Sequence, residues 1–92
     1  PDIVKAQAIK DATMAYFILK NAKKNHIFLH YNGAYHSNNY EGILWYINQE
    51  EVKTNCSTIS TVNQKNIHKL DSSNTGIADY IIAVDNDMTS TY

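Results

Sequence analysis

The densest run of chemically capable side chains is His30-Tyr31-Asn32-Gly33-Ala34-Tyr35-His36-Ser37-Asn38-Asn39-Tyr40-Glu41. Imidazole is the commonest protein metal ligand and exchanges protons near neutral pH, so His36 is a candidate for either task. Gly33, three residues earlier, permits a sharp backbone turn or a close approach to a ligand. Tyr31, Tyr35 and Tyr40 cluster around the same loop. A phenolate oxygen can ligate ferric haem, and aromatic rings stack on flat apolar cofactors. Plainer readings stand beside these. A loop histidine among Asn and Tyr is often a hydrogen-bonded surface residue, and tyrosine is an ordinary strand or interface residue. His30 falls inside an apolar run, where a buried imidazole usually bonds a backbone carbonyl. His26 and His68 read as surface histidines.

A second group precedes the first in the chain. Gln7, Asp11 and Met14 fall at i, i+4 and i+7, so a helix puts them on one face. Asp11 sits among Ala8, Ala12 and Ala15, an unusually apolar setting for a carboxylate. Two roles suit it equally. It can orient a ligand-binding histidine from behind, or it can bond an exposed loop backbone as a purely structural residue.

These groups need elements to hold them. Residues 2–24 read as a helix: Asp2 caps it, and Ile3, Val4, Ala8, Ala15, Ile18 and Leu19 lie on a broad apolar face. Lys20, Lys23 and Lys24 end it favourably for the helix dipole, with Asn25 as the stop. The continuous apolar run 26–31 predicts a strand covered on both faces, as in a parallel sheet. The ligand loop 32–39 then leads into a helix over 40–50, weakened by Gly42, which points to close packing or a late start. Residues 54–62 predict a polar strand near a sheet edge. Next comes a polar connection with a helical turn at 67–70, and then a second buried strand over 77–84. The tail to Tyr92 reads as loose. The expected architecture is one partial α/β domain, three-layered, with a largely parallel sheet of about three strands. His36 would then lie at the carboxyl end of a strand, where ligands bind in open α/β sheets.

Composition narrows the function. Ninety-two residues bury roughly 60–65% of the extended-chain surface, enough for one modest core. The 43% hydrophobic and 18% charged content argues against disorder. Eight lysines balance nine acids and there is no arginine, so bidentate phosphate and base contacts are missing and nucleic-acid binding is not expected. The single Cys56 excludes an intrachain disulfide and has no basic neighbour to make it reactive. Gly33, Gly42 and Gly76 stand alone, with no phosphate-binding loop and no Gly-x-Ser-x-Gly elbow. No apolar run is long enough to span a bilayer. The opening Pro1-Asp2-Ile3 reads as a processed or trimmed chain or a fragment, so a missing signal peptide says nothing about the parent.

Two stretches carry a family likeness. Ala6-Gln7-Ala8-Ile9-Lys10-Asp11-Ala12-Thr13-Met14-Ala15, followed by Phe28-Leu29-His30-Tyr31-Asn32-Gly33-Ala34-Tyr35-His36, resembles the ChaN-like iron-regulated lipoproteins. Ala78-Asp79-Tyr80 is similar to that family's entry into its final strand. The resemblance covers residues 5–47 closely and 77–84 loosely. It implies kinship with the Tiki-type and erythromycin-esterase-like proteins, whose domain carries two Gly-x-x-His motifs and an acidic pair split between two α/β halves. Gly33 and His36 match the second motif, while the first motif and the acidic pair have no counterpart, so the chain corresponds to the second half. The function that the resemblance implies is haem or iron binding in a bacterial cell envelope. His36 would face the iron, Tyr35 would ligate or stack, and Gly33, Gln7 and Asp11 would support them. A divalent metal is the alternative ligand, and a metal-dependent hydrolase or a non-catalytic interaction module the alternative function. A missing half of the domain, or another copy in a homodimer, would complete the sheet.

Overall fold

The computed structural model describes residues 2–50 and 54–87. It divides into two compact units, Pro1–Cys56 and Ser57–Tyr92.

The first unit is built on α1, Asp2–Asn21. The helix stops three residues earlier than its apolar pattern predicts: Ala22 N–H still donates to Ile18 O, and Lys23 and Lys24 lie in the turn beyond it. Asn25 adopts a positive φ of 64°, beyond the helix rather than at its end. A short second helix, α2, spans Ile43–Asn48. Six residues cannot sustain a helix in water by themselves. This one persists because Ile43, Leu44 and Ile47, one stripe at i, i+1 and i+4, are buried against Ala15. Met14, Ile18, Leu19 and Tyr46 pack around that cluster. Ala15 is small enough to let the two helices approach closely, and each buried isoleucine contributes about 1.5–3 kcal/mol.

The expected strand over 26–31 does not form. A strand exists only by pairing with a neighbour, and the backbone of residues 27–31 makes no such bond among the described residues. Ile27 is 98% exposed, and Leu29 and Tyr31 are exposed as well. The expected helix over 40–50 is likewise shortened to α2. Before it come two 3₁₀ turns, Ala34–His36 and Asn38–Tyr40.

The second unit holds a parallel pair, β1 Ile59–Gln64 and β2 Tyr80–Asp85. Ile59 stands beside Tyr80 and Gln64 beside Asp85. The chain is therefore an α/β protein, with a sheet of two strands rather than three among the described residues. Both strands begin later than expected, at Ile59 rather than residue 54 and at Tyr80 rather than residue 77. Their entry is tied by Asp79, whose Oδ2 accepts from Thr58 N–H at 2.7 Å, while Asp79 N–H donates to Thr58 Oγ1 at 3.1 Å. No helical turn forms at 67–70; a 3₁₀ turn occupies Ser72–Asn74 instead. Gln64, 2% exposed, gathers this connection. Its Nε2 donates to Asn66 O and Lys69 O, and its Oε1 accepts from Asp71 N–H and Asn74 Nδ2. That fills the bonding capacity of the amide, which is why a glutamine can be buried there. The tail 88–92 lies outside the described residues.

Candidate functional site

The loop after residue 31 is shaped by its own polar atoms. Gly33 O accepts from His36 N–H at 3.0 Å, closing the 3₁₀ turn, and also from Asn32 Nδ2 at 2.7 Å. Asn32 Nδ2 reaches Ser37 Oγ at 3.2 Å as well. The turn is thus clamped from both ends of the His36 step. Gly33 itself has φ −66° and ψ 146°, an extended conformation open to any residue. Its missing side chain matters for space beside the groove rather than for turning the chain.

The imidazole of His36 meets α1. Its Nδ1 lies 2.6 Å from Asp11 Oδ1, and the two side chains are 20% and 13% exposed. An ionised carboxylate only accepts hydrogen bonds, so Nδ1 carries the proton and donates. A ring with its proton on Nδ1 and none on Nε2 has its lone pair on Nε2, the nitrogen that does not face Asp11. The bond also answers the cost of burying Asp11, since a desolvated carboxylate without a partner is strongly disfavoured.

Two grooves flank this pair. One, of about 400 Å³, is lined by Ile9, Lys10, Thr13, Met14, Asn32, Gly33 and His36. The other, of about 680 Å³, is lined by Ile3, Val4, Gln7, Ala8, Asp11, Tyr35, Glu41, Gly42, Trp45 and Tyr46. The expected site residues are therefore divided. His36 and Gly33 share the first groove, with Met14 from the helix. Gln7, Asp11 and Tyr35 line the second, where Tyr35 is 96% exposed. Sequence reasoning misses Lys10 and Gly42 as site residues. Lys10 sits one residue from Asp11 on the helix, so only the helix's rotation shows which groove it serves.

The family model described as haem-binding uptake, Tiki superfamily, ChaN matches residues 1–47, half of the chain. The chain belongs to this ChaN family. No curated protein and no solved structure matches it. The stretch matched to the ChaN family contains α1, the Gly33–His36 turn and α2 up to Ile47, so both grooves and the Asp11–His36 bond lie within it.

The remaining histidines of this ChaN family chain differ from His36. His26 Nδ1 contacts Lys24 O at 2.9 Å on the surface, and His68 is exposed. His30 Nε2 is buried and has no hydrogen-bond partner among the described residues, in contrast to the backbone carbonyl expected for it. Among the described residues no three His, Cys, Asp or Glu side chains gather as a ready-made metal site. Cys56 is exposed at its surface, yet partial desolvation pushes its thiol pKa upward, which favours the protonated and less nucleophilic form.

Proposed function

We propose that the chain binds haem in the groove between α1 and the Asn32–His36 loop, with His36 Nε2 as the donor facing the iron. The observation that carries this reading is the bond from His36 Nδ1 to Asp11 Oδ1, the arrangement that fixes tautomer and ring direction in metal-ligating histidines. The rest of the groove suits the same ligand. Ile9 and Met14 offer apolar surface to a flat macrocycle, and Lys10 offers a cation to its carboxylate substituents. Haem would bring an iron already held by its own macrocycle, so His36 alone could serve as the protein donor. A catalytic zinc-type ion takes about three protein donors, and no such group gathers among the described residues, so the metal-dependent hydrolase reading draws on residues beyond them.

In this reading the chain's own residues bind and orient rather than turn over a substrate. Asp11 holds the imidazole, Asn32 and Ser37 hold the turn, and Gly33 leaves space beside the ring. Tyr35 and Gln7, in the neighbouring groove, serve as a stacking or second-ligand pair for whatever extends across the Asp11–His36 bond. The exposed apolar side chains of Ile27, Leu29 and Tyr31 support a companion, either the other half of a ChaN-type domain or a second copy. Membership of a haem-uptake family supports iron acquisition at a bacterial cell envelope, as a lipoprotein, as the setting.

An absorbance titration with ferric haem tests the proposal. The native chain should give a saturable Soret shift, and His36→Ala should lose it while retaining the helical circular dichroism of α1. Equal haem affinity in the two proteins would sink the assignment.

A further inference from the structure

Gly42 is the residue through which α2 reaches the site. Its backbone has φ 57° and ψ −118°, a region that L side chains rarely adopt. The space around it is as restrictive as the torsion. A Cβ at this position would lie 2.5 Å from His36 O and 3.1 Å from Asp11 Oδ2. Contacts that short force something to move, and the nearer atom is backbone, which cannot swing aside like a side-chain end. One added methyl group would therefore press on both members of the Asp11–His36 pair, on the backbone carbonyl of His36 and the carboxylate of Asp11. The contrast with Gly33 is sharp. There a Cβ would meet only His36 Cδ2, at 3.9 Å, an ordinary van der Waals contact.

We propose that Gly42 is a positioning residue for the His36 imidazole: its absent side chain lets α2 close against the turn and hold His36 Nδ1 on Asp11. This rests on the reading that His36 faces the ligand, because only then does the placement of its ring control binding. Gly42 touches no ligand in this account. It acts by keeping His36 O and Asp11 Oδ2 where the 2.6 Å bond between the two side chains needs them. The torsion and the crowding make separate demands. The conformation of Gly42 is the mirror image of the extended region of an L residue, so a D-alanine satisfies it while placing its methyl on the other hydrogen.

The test compares three full-length chains: native, Gly42→Ala and Gly42→D-Ala, the last two assembled by joining residues 1–55 to 56–92 at Cys56. The readout is the hydrogen-bonded Nδ1 proton of His36 in nitrogen-15 NMR, assigned by its loss in His36→Gln. The native and Gly42→D-Ala chains should show this resonance and Gly42→Ala should lose it, with haem affinity falling roughly 10-fold or more in Gly42→Ala alone. Should Gly42→Ala also lose its helical signal, the Gly42→D-Ala chain decides: a retained resonance carries the proposal and a lost one overturns it. A resonance that survives Gly42→Ala overturns it directly. A native chain that shows the resonance but binds no haem removes the haem reading, and the resonance comparison still judges Gly42.

Discussion

Asp11 and His36, 25 residues apart in the chain, meet through a 2.6 Å contact between Oδ1 and Nδ1 that joins α1 to the turn after Gly33. One bond thereby does two things: it compensates a buried carboxylate, and it fixes the orientation of an imidazole that lines a groove.

Replacing the carboxylate separates these effects. Asp11→Asn keeps the size of the side chain but removes its charge, so the tautomer of His36 is no longer enforced. Haem affinity should fall roughly 10–100-fold with little loss of helical signal. Titration of native and variant chains measures this, and an unchanged affinity would mean that Asp11 serves the fold alone.

The α1–α2 interface should be stability-limiting for the first unit. Ile47 is 3% exposed in the shared cluster, so Ile47→Ala leaves a cavity and should cost about 2–5 kcal/mol. Urea unfolding followed by tryptophan fluorescence reads it, since Trp45 lies in the same short helix.

Gly33 should behave unlike a residue chosen for its flexibility. With φ −66° and only an ordinary van der Waals contact waiting for a Cβ, Gly33→Ala restricts the unfolded chain without straining the folded one. The expected result is a gain of about 0.4–1 kcal/mol in unfolding free energy. A loss larger than that would show a constraint the backbone torsions do not contain.

In the second unit, Gln64→Leu should unfasten the connection between the strands. It removes four hydrogen bonds and strands the Asp71 amide, at a cost of at least about 1–3 kcal/mol. Faster hydrogen exchange at Asp71 than in the native chain is the direct readout.

Cys56 gives a pH dependence. Desolvation raises its pKa in the folded chain, so folding favours the protonated thiol. Its contribution to stability is complete below the ordinary thiol pKa and is lost as pH rises through the higher folded value. Iodoacetamide labelling should accordingly turn on at higher pH in the folded chain than in urea. Coincident profiles would remove the effect.

The helical face bearing Gln7, Asp11 and Met14 was legible because a 3.6-residue period is a local property, and so was the shared loop of Gly33 and His36. The strand expected at 26–31 was not, because a continuous apolar run reports only that side chains avoid water; it does not say whether a partner strand stands beside the backbone. Gln64 was hidden for a related reason. Nothing in its neighbours distinguishes an exposed glutamine at a strand end from one whose amide is saturated by atoms two to ten residues ahead.

By itself, the sequence determined the α/β class, the α1 face and the residue types available to a ligand, since these arise from periodicity and chemistry along the chain. Only the tertiary structure decided that Asp11 bonds His36 rather than a loop backbone. It also divided Tyr35 and His36 between two grooves, and it made Gly42 rather than Gly33 the glycine under steric demand. Each of these depends on the distance between segments that are remote in sequence, and that distance is set by how α2 packs against α1.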